Sequence, residues 1–148
     1  MKKTLFTVIV VLLFFSFGNY ADALCVRVSK ANLRSGPGTK YKKTGEVFQY
    51  TPLKRLGRRG NWYKVKDMDG EVHWIYRTLV TNKFRCAMVK RETARIRTGP
   101  GTQYEETIDS PSYKYLPYKV LKIKGSWVKI MDDYNDTGWI HRDLLWIQ

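Results

Sequence analysis

The chain has 148 residues, of which 27 are Lys or Arg and 13 are Asp or Glu, so its formal net charge at pH 7 is +14. A chain of this length holds one or two small domains and no large enzyme core. It has two His and two Cys, and it contains neither a His-Glu-x-x-His motif nor a Gly-x-Ser-x-Gly motif. We therefore expect no catalytic residues, no metal site and no cofactor, and the charge favours anionic partners.

The first 23 residues have the pattern of an export signal. A basic start at Lys2 and Lys3 is followed by an apolar run from Leu5 to Phe17 and by the small-residue pattern Ala-Asp-Ala that ends at Ala23. This order is typical of a secretory signal peptide, so we predict cleavage after Ala23 and an exported protein, periplasmic or extracellular. The alternative is an uncleaved membrane anchor, although a membrane-spanning helix needs about 20 apolar residues.

Two cysteines, Cys25 and Cys86, follow the signal segment. Disulfides persist in exported proteins, so an even pair of cysteines predicts one bond between them, which would close a loop of 86 − 25 = 61 residues. The alternative is two buried thiols that do not meet.

The chain contains an internal repeat. Asn-Leu-Arg-Ser-Gly-Pro-Gly-Thr-Lys-Tyr at residues 32–41 returns as Arg-Ile-Arg-Thr-Gly-Pro-Gly-Thr-Gln-Tyr at residues 95–104, an offset of 63. The motifs Gly-Asn-Trp-Tyr-Lys-Val, from residue 60, and Trp-Ile-Tyr-Arg-Thr-Leu, from residue 74, both return at an offset of 65. A module of about 60 residues is therefore present twice. We predict a first domain, the first module, over residues 24–82 and a second, the second module, over residues 83–148.

The order of these three motifs resembles that of the bacterial SH3-like (SH3b) domain, over nearly all of residues 26–80 and 89–145. The resemblance implies an all-β fold with two small SH3-like β-barrels in tandem, a module of secreted bacterial proteins that commonly attaches them to peptidoglycan. The copies differ at two positions of these motifs. The first copy has Asn32 and His73, and the second has Arg95 and Gly138 there. These differences indicate that the two copies need not bind the same ligand.

The strand that begins at Trp62 is the most informative segment for function. Side chains alternate between the faces of a strand, so Tyr63 shares one face with Val65 while Trp62 shares the other with Lys64. We expect the aliphatic face of this strand to face the core. Trp62 should therefore lie on the solvated side, and so should Trp127 in the second module. An indole there is a candidate platform for a ligand. The alternative is a Trp half-covered by a loop or by the other module.

Arg34 and Arg97 flank the Gly-Pro-Gly turn of each copy. Proline fixes one φ and the glycines can take positive φ, which predicts a tight loop before Tyr41. Each Arg either pairs with a ligand carboxylate or clamps the turn. The Asp-containing loops at 67–70 and 132–138 are interpreted as hairpin turns, because their spacing is not that of a calcium site.

Charge is unevenly divided between the modules. Counted from Leu24 and divided after Asn82, the first module has 13 − 4 = +9 and the second has 12 − 8 = +4. We predict a non-catalytic, monomeric protein that binds peptidoglycan or a peptide-like cell-wall ligand. In this hypothesis aromatic side chains form a wall and basic side chains meet carboxylates. The members are Arg34, Tyr41, Trp62, Tyr63, Lys64 and Arg77 in the first module and Arg97, Tyr104 and Trp127 in the second.

Two alternatives stay open. An envelope adaptor would bind another protein and ignore purified peptidoglycan. An exported polyanion binder would follow from charge alone, without specific nucleic-acid recognition, and its binding would weaken steeply with salt.

Overall fold

The computed structural model describes residues 22–148, and its fold is all-β, as predicted. Seven strands form one antiparallel sheet in the first module, in the order β3-β2-β6-β5-β4-β1-β7. In chain order they are β1 (Ala23–Val26), β2 (Lys30–Arg34), β3 (Lys43–Phe48), β4 (Pro52–Arg59), β5 (Trp62–Lys66), β6 (Val72–Tyr76) and β7 (Val80–Thr81). A 3-10 turn, Arg77–Leu79, connects the last two strands.

The second module repeats this plan with a shorter equivalent of β2. Its strands are β8 (Arg85–Val89), β9 (Thr93–Ala94), β10 (Ser112–Tyr113), β11 (Pro117–Lys124), β12 (Trp127–Met131), β13 (Thr137–His141) and β14 (Leu145–Ile147). Five of them form a sheet in the order β13-β12-β11-β8-β14, and β10 pairs with β9. A 3-10 turn, Arg142–Leu144, precedes β14. Arg97 continues the β2-like path through isolated bridges to Glu106 and Trp139.

Side-chain alternation builds one core in each module. Val65 on β5 and Ile75 on β6 are fully buried, and so are their counterparts at the offset of 65, Val128 and Ile140. The first core also takes residues from β1, β2, β4 and β7, so this one sheet has to curl around a single cluster. Each buried aliphatic side chain of this size contributes about 1.5–3 kcal/mol. The prediction that the aliphatic face of the Trp strand forms the core is confirmed.

The glycines of the Gly-Pro-Gly turns are needed for a close contact and not for positive φ. Among residues 22–148, the glycines with positive φ are Gly60, Gly70 and Gly125, which lie in hairpins. Gly36 is needed because the Tyr41 ring lies directly against its Cα, where a Cβ would overlap it. The same contact joins Gly99 and Tyr104 in the second module.

The Asp-containing loops are hairpin turns, as interpreted from sequence. Asp67 Oδ1 accepts hydrogen bonds from the backbone N–H groups of residues 69 and 71, at 3.0 and 2.9 Å. Asp132 Oδ1 accepts the equivalent pair from residues 134 and 136, at 2.9 and 2.8 Å. Within residues 22–148, no group of three or more His, Cys, Asp or Glu is placed to hold a metal ion.

A disulfide between Cys25 and Cys86 joins the modules, which confirms the predicted pairing and rules out two separate thiols. The bond lies between β1 and β8 and belongs to a small buried cluster with Tyr50. The Tyr50 and Phe84 rings meet edge to face beside it, with centroids 6.1 Å apart. The modules are therefore linked both covalently and by packing.

The predicted signal peptide, residues 1–23, lies outside the described residues except for its last two. Asp22 forms an ion pair with Arg55 at 3.6 Å, and Ala23 is the first residue of β1. Cleavage after Ala23 would make Leu24 the first residue of the mature chain. Leu24 lies within β1 and pairs with Leu53 on β4. Within residues 22–148, no helix is long and apolar enough to cross a membrane.

We predict that removing the disulfide lowers stability substantially. A closed loop of 61 residues corresponds to about 4 kcal/mol in the chain-entropy description. The Cys25→Ala/Cys86→Ala variant should lose about this much free energy of unfolding in guanidinium titrations. Reductant should destabilise the parent protein equally and leave the double variant unchanged. A double variant as stable as the parent would contradict the prediction.

A second prediction concerns the Gly-Pro-Gly turn. The Gly36→Ala substitution should destabilise the protein by about 1–3 kcal/mol, because the Tyr41 ring has to move away. Gly57→Ala is the matched control, since a Cβ at that position meets nothing within 4 Å. Urea unfolding of both variants tests the prediction, and equal losses would contradict it.

Candidate functional site

The first module carries an open groove of about 580 Å³ on the side where β2 faces the start of β5. One wall comes from β2 and the Gly-Pro-Gly turn, and the other comes from the start of β5, the end of β6 and the 3-10 turn. The lining residues are Lys30, Ala31, Asn32, Arg34, Gly38, Thr39, Trp62, Tyr76 and Leu79. We call this the first groove.

An aromatic pair forms one wall of the first groove. Trp62 and Tyr76 are directly opposite each other on β5 and β6, and their rings meet edge to face with centroids 5.4 Å apart. Trp62 is half-buried, so it is held in place while part of the indole stays open to the groove. Such a ring offers large apolar area with little loss of side-chain entropy on binding.

Arg34 forms the opposite wall and also holds the turn. Its Nη1 donates hydrogen bonds to the backbone carbonyls of Thr39 and Tyr41, at 3.1 and 3.0 Å. Of the two roles that the sequence left open for Arg34, the structure shows that it clamps the turn. Arg34 also lines the first groove. In the second module, Arg97 Nη1 makes the equivalent bond to the carbonyl of Tyr104, at 2.9 Å.

The second module has the same groove, of about 370 Å³, at the equivalent residues. Its lining residues are Thr93, Arg95, Arg97, Thr102, Trp127, His141 and Leu144. Each of these is the counterpart, at an offset of 63 or 65, of a residue that lines the first groove. The Trp127 and His141 rings repeat the edge-to-face pair, with centroids 5.3 Å apart. We call this the second groove.

Each groove has a basic side chain at its rim that is paired with a glutamate. Lys30 lies 3.4 Å from Glu46, and Arg95 lies 3.1 Å from Glu106. A hydrogen bond from Lys43, at 2.8 Å, lowers the pKa of Glu46. A hydrogen bond from the Ser110 hydroxyl, at 2.6 Å, lowers the pKa of Glu106, and Arg95 adds to the effect.

The structure separates several residues that the sequence hypothesis grouped together. Tyr63 points to the face opposite Trp62, packs against the first core and lies beneath Arg55, whose guanidinium carbon is 5.3 Å from its ring centroid. The prediction that Trp62, Tyr63 and Tyr41 form one aromatic wall is therefore wrong. Tyr41 and Tyr104 instead cover the turn glycines.

Two basic residues of the hypothesis also lie off the groove. Lys64 is exposed on β5 and does not line either groove. Arg77 does not line them either, and its Nε donates to the side chain of Asn61 at 2.9 Å. Arg34, Trp62, Arg97 and Trp127 are the predicted residues that do line the grooves.

Sequence reasoning missed Tyr76 and His141 as groove residues. The signal was available, because the offset of 65 aligns them just as it aligns Trp62 with Trp127. The repeat does not show that Tyr76 lies directly opposite Trp62, or that His141 lies directly opposite Trp127. The register of each hairpin, β5 with β6 and β12 with β13, decides this.

Comparison with known families assigns the two modules differently. Residues 29–81 match the family model of the bacterial SH3 domain, which confirms the resemblance for the first module. Residues 88–145 match that of the GW (Gly-Tryp) dipeptide domain instead. The second module contains the pair Gly138-Trp139 where the first has His73-Trp74. A Cβ at Gly138 would overlap the Ile96 side chain, so packing in the second module favours glycine there.

Whole-chain comparison points to larger proteins. YrvJ of Bacillus subtilis (strain 168), named as an N-acetylmuramoyl-L-alanine amidase, is 27% identical in an alignment that covers 95% of this chain and 30% of YrvJ. The chain thus spans less than a third of that relative.

Two solved structures show weak similarity to the whole chain. An NlpC/P60 family protein from Bacillus cereus is 11% identical, with 85% of this chain and 56% of that chain covered and a TM-score of 0.40. NlpC1 from Trichomonas vaginalis is 14% identical, with 93% and 50% covered and a TM-score of 0.36. Scores of this size support no argument about function.

The rim ion pairs predict a pH dependence. The pKa of Glu46 is lowered in the folded protein, so its pairing stabilises the fold above the pKa of an unfolded glutamate and is lost as the pH falls through the folded value. The Lys43→Gln substitution should move the Glu46 carboxyl midpoint upwards in carbon-detected NMR titrations. Lys66→Gln, on β5, is the control and should leave it in place. An unchanged midpoint in Lys43→Gln would contradict the assignment.

Proposed function

We propose that this chain is a non-catalytic module that binds the bacterial cell wall, with peptidoglycan or its stem peptide as the ligand. The observation that carries the proposal is the repetition of one groove, with equivalent Arg and Trp residues, in both modules. Bacterial SH3 and GW domains are cell-wall binding modules, and one such model matches each half of the chain. The name of YrvJ, an N-acetylmuramoyl-L-alanine amidase, is consistent with this.

The groove chemistry fits a peptide that carries carboxylates. The guanidinium of Arg34 is fixed by two backbone carbonyls, so little further entropy is lost when it meets an anion. Lys30 adds a second basic side chain at the rim, where it shares Glu46 with Lys43. The Trp62 indole then supports the apolar part of the ligand.

The first groove should be the stronger site. Its cavity is larger, about 580 Å³ against about 370 Å³, and its module carries +9 against +4. The second groove has Thr93, Arg95 and His141 where the first has Lys30, Asn32 and Tyr76. Each groove is thus lined by two Lys or Arg residues, but one of them stands at a different position, and the second groove has less aromatic area. We infer a related but different preference there.

Export supports the same function. A disulfide is stable in an oxidising compartment outside the cytosol, and the first 23 residues have the signal-peptide pattern. The adaptor alternative and the polyanion alternative both place the protein in the same compartment, so the ligand has to be tested directly.

Co-sedimentation of the purified protein with peptidoglycan sacculi, at low and at high salt, tests the proposal. Binding should persist at high salt, because an aromatic groove contributes in addition to charge. Binding lost at high salt would favour the polyanion alternative. No binding at either salt concentration would favour the protein adaptor.

Substitutions should divide the binding between the grooves. Trp62→Ala should weaken sacculus binding about tenfold or more, and Trp127→Ala should weaken it less. Tyr134→Ala is the control, because Tyr134 is an exposed aromatic residue outside both grooves. If Trp62→Ala folds normally, as judged by circular dichroism, and binds like the parent protein, Trp62 is not part of the site.

A further inference from the structure

A trough runs along the junction of the two modules and shares no lining residue with either groove. Two cavities of about 230 and 480 Å³ form it, and both are lined by Phe48 and Pro117. The first module contributes the end of β3, the start of β4 and the loop at 67–69, and the second contributes the segment 109–118 and the loop at 132–136. We call it the junction trough.

Large apolar and aromatic side chains are exposed along the walls of the junction trough. Five large side chains along it are strongly exposed, with Phe48 at 56%, Tyr113 at 58%, Tyr115 at 48%, Leu116 at 44% and Tyr134 at 81% of their accessible area. Exposed aromatic side chains that line one depression are typical of an interaction site.

The charge of the junction trough opposes that of the protein. It has 11 + 14 − 2 = 23 lining residues, and none of the 27 − 2 = 25 Lys and Arg residues within residues 22–148 is among them. Of the 13 acidic residues in the chain, seven line the trough. They are Glu46, Asp67, Asp69, Asp109, Asp132, Asp133 and Asp136. The acidic residues of a strongly basic protein are thus concentrated on one aromatic surface.

Few of these carboxylates are neutralised within the described chain. Glu46 pairs with Lys30 and Lys43, and Asp67 faces His73 at 3.2 Å. Within residues 22–148, no salt bridge joins Asp109, Asp133 or Asp136 to a basic side chain. The nearby Lys114 lies over the Tyr115 ring, 5.2 Å from its centroid, and pairs instead with Glu92. The larger cavity therefore keeps a negative field.

We propose that the junction trough docks an extended basic peptide segment of a partner protein. Lysine or arginine side chains of that segment would form charge-assisted hydrogen bonds with the aspartates of the larger cavity. Their hydrocarbon stems and the cations themselves would lie on the exposed tyrosine rings. A wall peptide rich in carboxylates does not fit, because the trough would repel it.

Hexalysine and hexaarginine are suitable probes for isothermal titration calorimetry with the purified protein. The net charge of +14 opposes the binding of these peptides, so saturable binding would point to a local concentration of carboxylates such as the trough. Failure of both peptides to bind at low salt would overturn the proposal.

Two double variants with the same charge change locate the binding. Asp109→Asn/Asp133→Asn removes two trough carboxylates from exposed positions and should weaken hexalysine binding about tenfold. Glu92→Gln/Glu105→Gln removes two exposed carboxylates of the same module that do not line the trough, and should change it less than about twofold. Equal weakening by the two variants would overturn the proposal, since it would show a response to net charge alone.

Aromatic variants give a second, independent measurement. Phe48→Ala and Tyr134→Ala should each weaken hexaarginine binding about fivefold or more, and unchanged binding in both would overturn the proposal. Trp62→Ala should leave hexaarginine binding unchanged. Wall binding at the grooves and peptide binding at the junction trough are therefore tested independently.

Sedimentation velocity tests whether a second copy of this chain occupies the junction trough instead of a partner protein. Concentration-dependent self-association abolished by Asp109→Asn/Asp133→Asn would overturn the assignment to a partner protein.

Discussion

Arg34 connects the end of β2 to the turn that follows it, and the first groove depends on this contact. Its guanidinium binds the carbonyls of Thr39 and Tyr41, while the Tyr41 ring closes over Gly36. The turn is thereby fixed as a wall opposite Trp62. Arg97 repeats the arrangement in the second module. One local set of contacts therefore explains why the same groove forms twice.

The Cys25–Cys86 bond and the packing of Tyr50 against Phe84 hold the modules side by side. This has two consequences. Both grooves are carried on one tethered unit, so a polymeric ligand that reaches both would bind with a raised effective concentration. The junction also creates a surface that neither module has alone, in which the acidic residues of a basic protein are brought together.

The candidate site was partly predictable because strand alternation is a local property. It placed Trp62 opposite the core face that holds Val65, and the structure agrees. The same rule should have removed Tyr63 from the site, since it lies on the other face. Tyr41 was misassigned for another reason, namely that its contact with Gly36 depends on the three-dimensional path of the turn.

The sequence by itself determined the repeat, because a repeat rests on residue spacing. The resemblance of the repeated motifs to a known domain implied the all-β fold, and the even cysteine count favoured a disulfide but left two separate thiols open. Tertiary structure decided which side chains share a groove. Tyr76 joins Trp62 only through the register of β5 with β6, and the junction trough combines residues as distant in the chain as Phe48 and Tyr134. Such surfaces form when separate segments pack together, and a linear pattern does not encode the distances between them.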